Sequence, residues 1–174
     1  PYILYEYPHG GDPATNDTDG ATGNKFYDVG DTPCVYAAES TEQREPVLIE
    51  SLEVLTDGEG PGRQRSGFGI SRRIRVLSND SQLNVMADRA VIPPWGADGA
   101  PHGTVNSFKI QREGNEFYPS PLPGKVKSFP LQYGDVVVME ASAGGGVGDP
   151  LERDVDLILR EVFAGYITST RASE

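Results

Sequence analysis

Val136-Val137-Val138-Met139 leads through Glu140-Ala141-Ser142-Ala143 into Gly144-Gly145-Gly146-Val147-Gly148-Asp149-Pro150. How this stretch is read decides the fold. The apolar run reads as a buried strand. A glycine cluster behind a strand and ahead of a helix has the look of a phosphate cradle, which would imply a parallel sheet and a bound nucleotide. The neighbouring residues oppose that. A phosphate-binding loop requires Lys and then Ser or Thr after its glycines, and here Asp149-Pro150 follow. Asp149 would repel phosphate, and Pro150 removes a backbone donor. The dinucleotide fingerprint needs a glycine at its sixth place. Counted from Gly144 that place is Asp149, and counted from Gly146 it is Leu151. The stretch therefore reads as a tight strand-to-helix crossover, with glycines allowing backbone shapes that side chains would block.

Downstream, Asp149-Pro150 with Glu152, and Asp154 with Asp156, have the form of helix starts, with acids at the positive end of the helix dipole. Val155, Ile158, Leu159, Val162 and Phe163 fall on one stripe at helical spacing, and Gly165 is a natural stop. This predicts a helix over Asp154 to Ala164, the one convincing helix, with Thr168 to Glu174 starting a second.

Upstream, the pattern is of strands and turns. Strands are expected over Tyr2 to Tyr7, Val47 to Leu55, Phe68 to Leu77, Gln82 to Ala90 and Thr104 to Gln111. Phe68, Ile70, Ile74 and Val76 share one parity, with Arg72 the exception, and Arg73 and Arg75 fall on the opposite face. A hairpin turn at Glu113-Gly114-Asn115-Glu116 leads to Phe117-Tyr118. Lys125 to Gln132 and Asp135 to Ser142 read as a final pair around Tyr133-Gly134. Pro93-Pro94 bar their segment from a central strand and make it a rigid presenter of Trp95. The sum is a mainly β fold, an antiparallel β-barrel or sandwich with a short C-terminal helical segment, in a single domain over residues 1–174.

Composition narrows the function classes. With 21 Gly and 14 Pro in 174 residues, short strands and tight turns are favoured over helices. The net charge of −11 repels nucleic acid and anionic membranes, so neither is expected as a partner. Cys34 is the single cysteine, which removes a disulfide framework and a cysteine zinc site. No run has the length of a membrane span, and Pro1-Tyr2-Ile3-Leu4 has no signal-peptide form. A cytoplasmic location is the expectation.

Candidate chemistry is sparse. From Asp12 to Gly30 runs a long polar loop, the kind that usually binds or docks. Asp17, Asp19 and Gly20 resemble the start of a calcium loop, but Asp28 stands where the distal Glu is required, so a hydrogen-bonded turn is favoured. His9 and His102 sit in separate polar loops without a paired ligand. Arg63, Arg65, Arg72, Arg73 and Arg75 could clamp a carboxylate or phosphate, but structural or interface ion pairs are favoured. Asp88 beside Arg89 reads as an internal pair.

Several stretches together resemble the hydantoinase B/oxoprolinase family. They are Pro46 to Glu53, Asp57-Gly58-Glu59-Gly60-Pro61-Gly62-Arg63-Gln64-Arg65-Ser66-Gly67-Phe68-Gly69, Asp88-Arg89 with Pro93-Pro94-Trp95-Gly96, and Gly144 to Asp154 ahead of a helix and Gly165. The resemblance implies the C-terminal portion of a longer subunit, as in N-methylhydantoinase, 5-oxoprolinase and acetone or acetophenone carboxylases. It implies ATP-dependent chemistry in which a carbonyl or enol oxygen is phosphorylated. By the same resemblance, ATP belongs to a hydantoinase A-like partner, and a divalent metal to the N-terminal part of a hydantoinase B-like subunit. No catalytic or metal residue carries over to this chain. Arg63, Arg65, Gly67, Asp88, Arg89, Trp95, Gly144, Gly145, Gly146, Gly148, Asp149 and Pro150 are expected to serve structure or an interface. The expectation is a small accessory subunit of an acetophenone carboxylase-like hetero-oligomer. The alternatives are a subunit of an ATP-dependent cyclic amide hydrolase, and a free-standing β-sandwich binding module.

Overall fold

The structure, a computed structural model, describes residues 2–24 and 37–173. Asp28, the Gly30 end of the polar loop and Cys34 lie outside the described residues. The order of elements is α1 (Ala38–Arg44), β1 (Val47–Val54), β2 (Ile70–Val76), β3 (Gln82–Met86), β4 (Ser107–Arg112), β5 (Asn115–Phe117), β6 (Lys125–Pro130), β7 (Val136–Glu140) and α2 (Val155–Phe163). Short 3-10 turns stand at Pro150–Glu152 and Arg171–Ser173.

One sheet has the order β1-β2-β7-β4-β5 and a smaller one pairs β3 with β6, antiparallel throughout. The expected antiparallel β architecture with a short C-terminal helix is therefore present, in open rather than barrel form. Alternation sets the register. Ile49, Ile74, Val137, Ile110 and Phe117 stand side by side across the five strands, forming one apolar row. Leu83, Val85 and Phe129 from the small sheet pack on this face, so the core lies between the two sheets. Phe117 and Phe129 meet across it with ring centroids 6.1 Å apart.

The other face of the large sheet carries the charges. Arg73 and Lys109 flank Val138, and Arg75 and Gln111 flank Val136. Both valines are buried. Arg73 reaches across β7 to bond Gln111. Arg73 and Arg75 both pair with Glu50, and Lys109 pairs with Glu116 at 2.9 Å. Arg72, the exception in the parity, points into the core face at 2 % exposure and meets Glu6 at 3.2 Å. Burial drives the Glu6 carboxyl above its usual range, with the Arg72 charge offsetting only part of that.

Four sequence expectations need correction. Residues 2–7 form no strand. Their side chains do alternate, with Leu4 on the core and Ile3 and Tyr5 exposed, but a strand also needs a neighbouring backbone in register. The last two strands are not a pair, for β6 joins β3 while β7 lies between β2 and β4. Val136–Met139 is apolar on both faces and can be sheltered only at the sheet centre. The chain also forms α1, which escaped notice because its polar sequence carries no apolar stripe and buries only Thr41. Thr168 onward yields a 3-10 turn rather than a helix. No described helix is long and apolar enough to cross a membrane.

Candidate functional site

The glycine stretch does not turn sharply into α2. It leaves β7 as an extended thread, and three other loops are laced onto it. Gly144 N donates to Gly11 O at 2.8 Å, and Ala14 N donates to Gly145 O at 3.0 Å. Val147 and Gln64 exchange both backbone bonds, at 2.9 and 3.0 Å. Ala97 N donates to Gly146 O and Gly148 N to Ala97 O, at 2.9 and 3.0 Å. The backbone donors of Gly144, Val147 and Gly148 thus already face protein carbonyls rather than a space for an anion.

This lacing explains the glycines. A Cβ on Gly145 would lie well inside 3.0 Å of Trp95 O, and one on Gly146 equally close to Pro61 O. On Gly144 it would meet the Pro13 backbone at 2.5 Å. The facing loops obey the same rule, since Gly60 and Gly103 press on Gly144 O, and Gly67 presses on Ala21 O. Only Gly148 in the stretch needs a left-handed backbone, at φ 78°. Crowding by other backbones, more than turning, is what requires glycine here. Asp149 then caps the 3-10 turn, accepting from Leu151 N at 2.9 Å, with Pro150 as its first residue.

Beside the thread lies a charge network centred on Arg153. Its guanidinium bonds Asp19 through both nitrogens, at 2.9 and 2.8 Å, Glu161 at 2.9 Å and Arg63 O at 3.2 Å. Arg65 donates to Glu161 at 2.6 Å, and its backbone N–H donates to Asp19 at 3.0 Å. The Arg65 guanidinium also lies 4.5 Å from the centroid of Phe68, which stacks on Tyr166. Burial opposes ionisation of Asp19, but the Arg153 hydrogen bonds, reinforced by the Arg153 and Arg65 charges, outweigh it and hold its carboxyl below the usual range. The network ties residues 17–20, residues 63–67 and α2 into one body. Arg153 escaped the sequence reading because its partner Asp19 lies 134 positions away. The only available signal was its place inside the Gly144 to Asp154 stretch.

The remaining candidates are dispersed. Asp88 pairs with Lys125 at 3.1 Å and Arg89 lies 5.2 Å from the centroid of Trp95, so the expected Asp88–Arg89 pair is not formed. Arg89 takes φ 53°, which turns it from Asp88 toward the indole. Trp95 is itself exposed, while its carbonyl abuts Gly145. Arg63 is exposed, with no carboxylate partner among the described residues. Gly67 N donates to Asp12 O at 2.9 Å. In the loop compared with a calcium site, Arg153 takes both Asp19 oxygens. Among the described residues no group of three or more His, Cys, Asp or Glu could hold a metal. His9 Nδ1 donates to Gly23 O at 3.0 Å, and His102 lies exposed elsewhere.

The Hydantoinase B/oxoprolinase family model matches residues 1–150. A relative from Pseudomonas sp. (strain NS671), provisionally named as the B component of a D-/L-hydantoinase, is 33% identical over 135 residues, covering 77% of this chain and 22% of that protein. A nucleotide-free acetone carboxylase structure superposes with a TM-score of 0.71 at 20% identity, over 95% of this chain and 26% of that one. An ATP-dependent caprolactamase from Pseudomonas jessenii superposes at 0.65 and 21% identity, over 94% and 28%. The chain thus spans about a fifth of the length of three curated relatives that it matches, at 21%, 22% and 22%.

Proposed function

The chain belongs to the hydantoinase B/oxoprolinase family, and from that premise we propose that it is a structural, non-catalytic part of an ATP-dependent hetero-oligomer. The observation that carries the reading is the glycine thread with its flanking network. Three of its backbone donors are engaged by protein carbonyls, and Asp19, Arg65, Arg153 and Glu161 bond one another. What remains is a rigid body suited to supporting chemistry performed elsewhere. In this proposal ATP is held by a hydantoinase A-like partner, and the rest of a hydantoinase B-like subunit supplies any divalent metal. The reaction proposed first is ketone carboxylation of the acetophenone carboxylase kind, in keeping with the acetone carboxylase fold match. A second reading, ATP-dependent opening of a cyclic amide, is favoured by the hydantoinase name of the 33% identical relative.

The test is to purify the hetero-oligomer through a tag on this chain. ATP consumption is then followed with acetophenone and labelled bicarbonate, and separately with hydantoin. The complex should consume ATP with one of the two, and the isolated chain with neither. ATP turnover by the isolated chain would overturn the structural role. Label fixed into a carboxylate supports the first reading, and ring opening without label supports the second.

A further inference from the structure

The apolar stripe of α2 is wider than the face that packs. Ile158, Glu161 and Val162 turn toward the domain and are half-buried, whereas Val155, Leu159 and Phe163 stand one helical row away in solvent. Their exposures are 64 %, 59 % and 95 %, and Leu151, in the preceding 3-10 turn, is 85 % exposed. Residues at i, i+4 and i+8 line up along a helix, so the three form a ridge. The ridge offers on the order of 400 Å² of apolar surface, a size that marks an interaction site. The helix itself is firmly built. Asp154 accepts from Asp156 N at 2.9 Å at its start. At its end Gly165 N and Tyr166 N donate to Val162 O and Glu161 O, a closed glycine cap.

Size and charge choose among the occupants. A stable complex between separate chains buries about 800 Å² on each partner, more than the ridge supplies, whereas contacts between parts of one chain are stable at lower area. The rim is acidic, with Glu152, Asp154 and Asp156 against the single Arg160. A second copy would bring acid against acid on a chain of net charge −11. In the acetone carboxylase chain this fold accounts for only 26% of the length, so most of that chain lies outside it.

We propose that the ridge Val155, Leu159 and Phe163 docks on the remainder of a hydantoinase B-type subunit, against an apolar groove with a basic rim. The proposal rests on family membership and on the hetero-oligomer reading above, but not on the reaction catalysed.

The test places a photo-crosslinking amino acid at Phe163 in the assembled hetero-oligomer and identifies the captured peptide by mass spectrometry. Capture of hydantoinase B-type sequence outside this fold is the expected result. Capture of the A-type partner, capture of a second copy of this chain, or no capture would each overturn the proposal. In parallel, with the photo-crosslinking amino acid moved to Val155, Leu159→Glu with Phe163→Glu should lower capture of the hydantoinase B-type sequence at least tenfold, while the portion's own unfolding midpoint stays unchanged. Unaltered capture would overturn the proposal. Should the midpoint collapse, the crosslink decides. A complex that captures the expected peptide yet consumes no ATP would sink the functional reading and leave the docking surface standing.

Discussion

Replacing Gly146 by alanine asks why the thread needs glycine. The new methyl would stand 2.8 Å from Gly60 O and closer still to Pro61 O, where ordinary contact begins at 3.4 Å. Both obstacles are backbone, so no side chain can swing aside. The thread must move by the better part of an ångström, and it is tied on each side. Ala97 N→Gly146 O and the Gln64–Val147 pair of bonds lie within one residue of the change. Overpacking costs about 1–3 kcal/mol. Two lost or lengthened hydrogen bonds add about 1 kcal/mol each. The stiffer unfolded chain returns about 0.5 kcal/mol. The expected loss is about 2.5–4.5 kcal/mol, a large share of the ~5–15 kcal/mol that holds a domain together. Urea unfolding of the two proteins measures it as a lowered midpoint at constant slope. Gly134→Ala is the control, because Gly134 has φ 89° and nothing within 4 Å of a Cβ, leaving only the left-handed backbone strain of about 1–2 kcal/mol. If Gly146→Ala costs no more than Gly134→Ala, interlocking backbones are not the reason for glycine. If Gly146→Val leaves the fold intact and lowers only the complex's affinity for ATP, the phosphate-cradle reading returns.

Arg153→Met should destabilise the chain by about 3 kcal/mol, because it strands Asp19 and Glu161 beside the thread. It should also change the acid limb of stability. The depressed Asp19 carboxyl contributes stability that is present above its unfolded pKa and lost as pH falls through its lower folded value. A pH series of unfolding midpoints should therefore fall less steeply on the acid side in the variant, and an unchanged slope would count against the network. Glu6→Leu alone should be destabilising because it leaves Arg72 buried and unpaired, while Glu6→Leu with Arg72→Met should be neutral or stabilising in the same assay. Asp154→Ala should cost about 1 kcal/mol through the lost cap, seen as faster hydrogen exchange across α2. Equal exchange in both proteins would show that packing alone holds the helix.

Much of the fold was legible locally. The parity of Phe68 to Val76 located β2 and placed Arg73 and Arg75 on the face opposite the core, because side-chain direction in a strand repeats every second residue. Asp154 and Gly165 bounded α2 for equally local reasons, one as an acceptor for free N–H groups and the other as a left-handed stop. Strand pairing was not legible. Adjacent strands separated by Tyr133-Gly134 look like a hairpin, yet β7 takes its partners from β2 and β4 to bury both its faces. The site was half legible. The Gly144 to Asp154 stretch could be singled out, and Asp149-Pro150 argued against phosphate. That Gly145 lies under Trp95 O, or that Arg153 reaches Asp19, depends on residues distant in sequence.

The sequence by itself determined what each residue can do within a few neighbours: which runs alternate, where helices can begin and stop, and which family signatures the chain carries. These follow from backbone geometry and side-chain chemistry, which act over short stretches. The tertiary structure alone decided that the glycine stretch is a thread clasped by three loops rather than a cradle or a sharp turn. It alone decided that part of the α2 stripe faces solvent. Both outcomes depend on excluded volume and burial between segments remote along the chain, and those exist only once the chain has closed on itself.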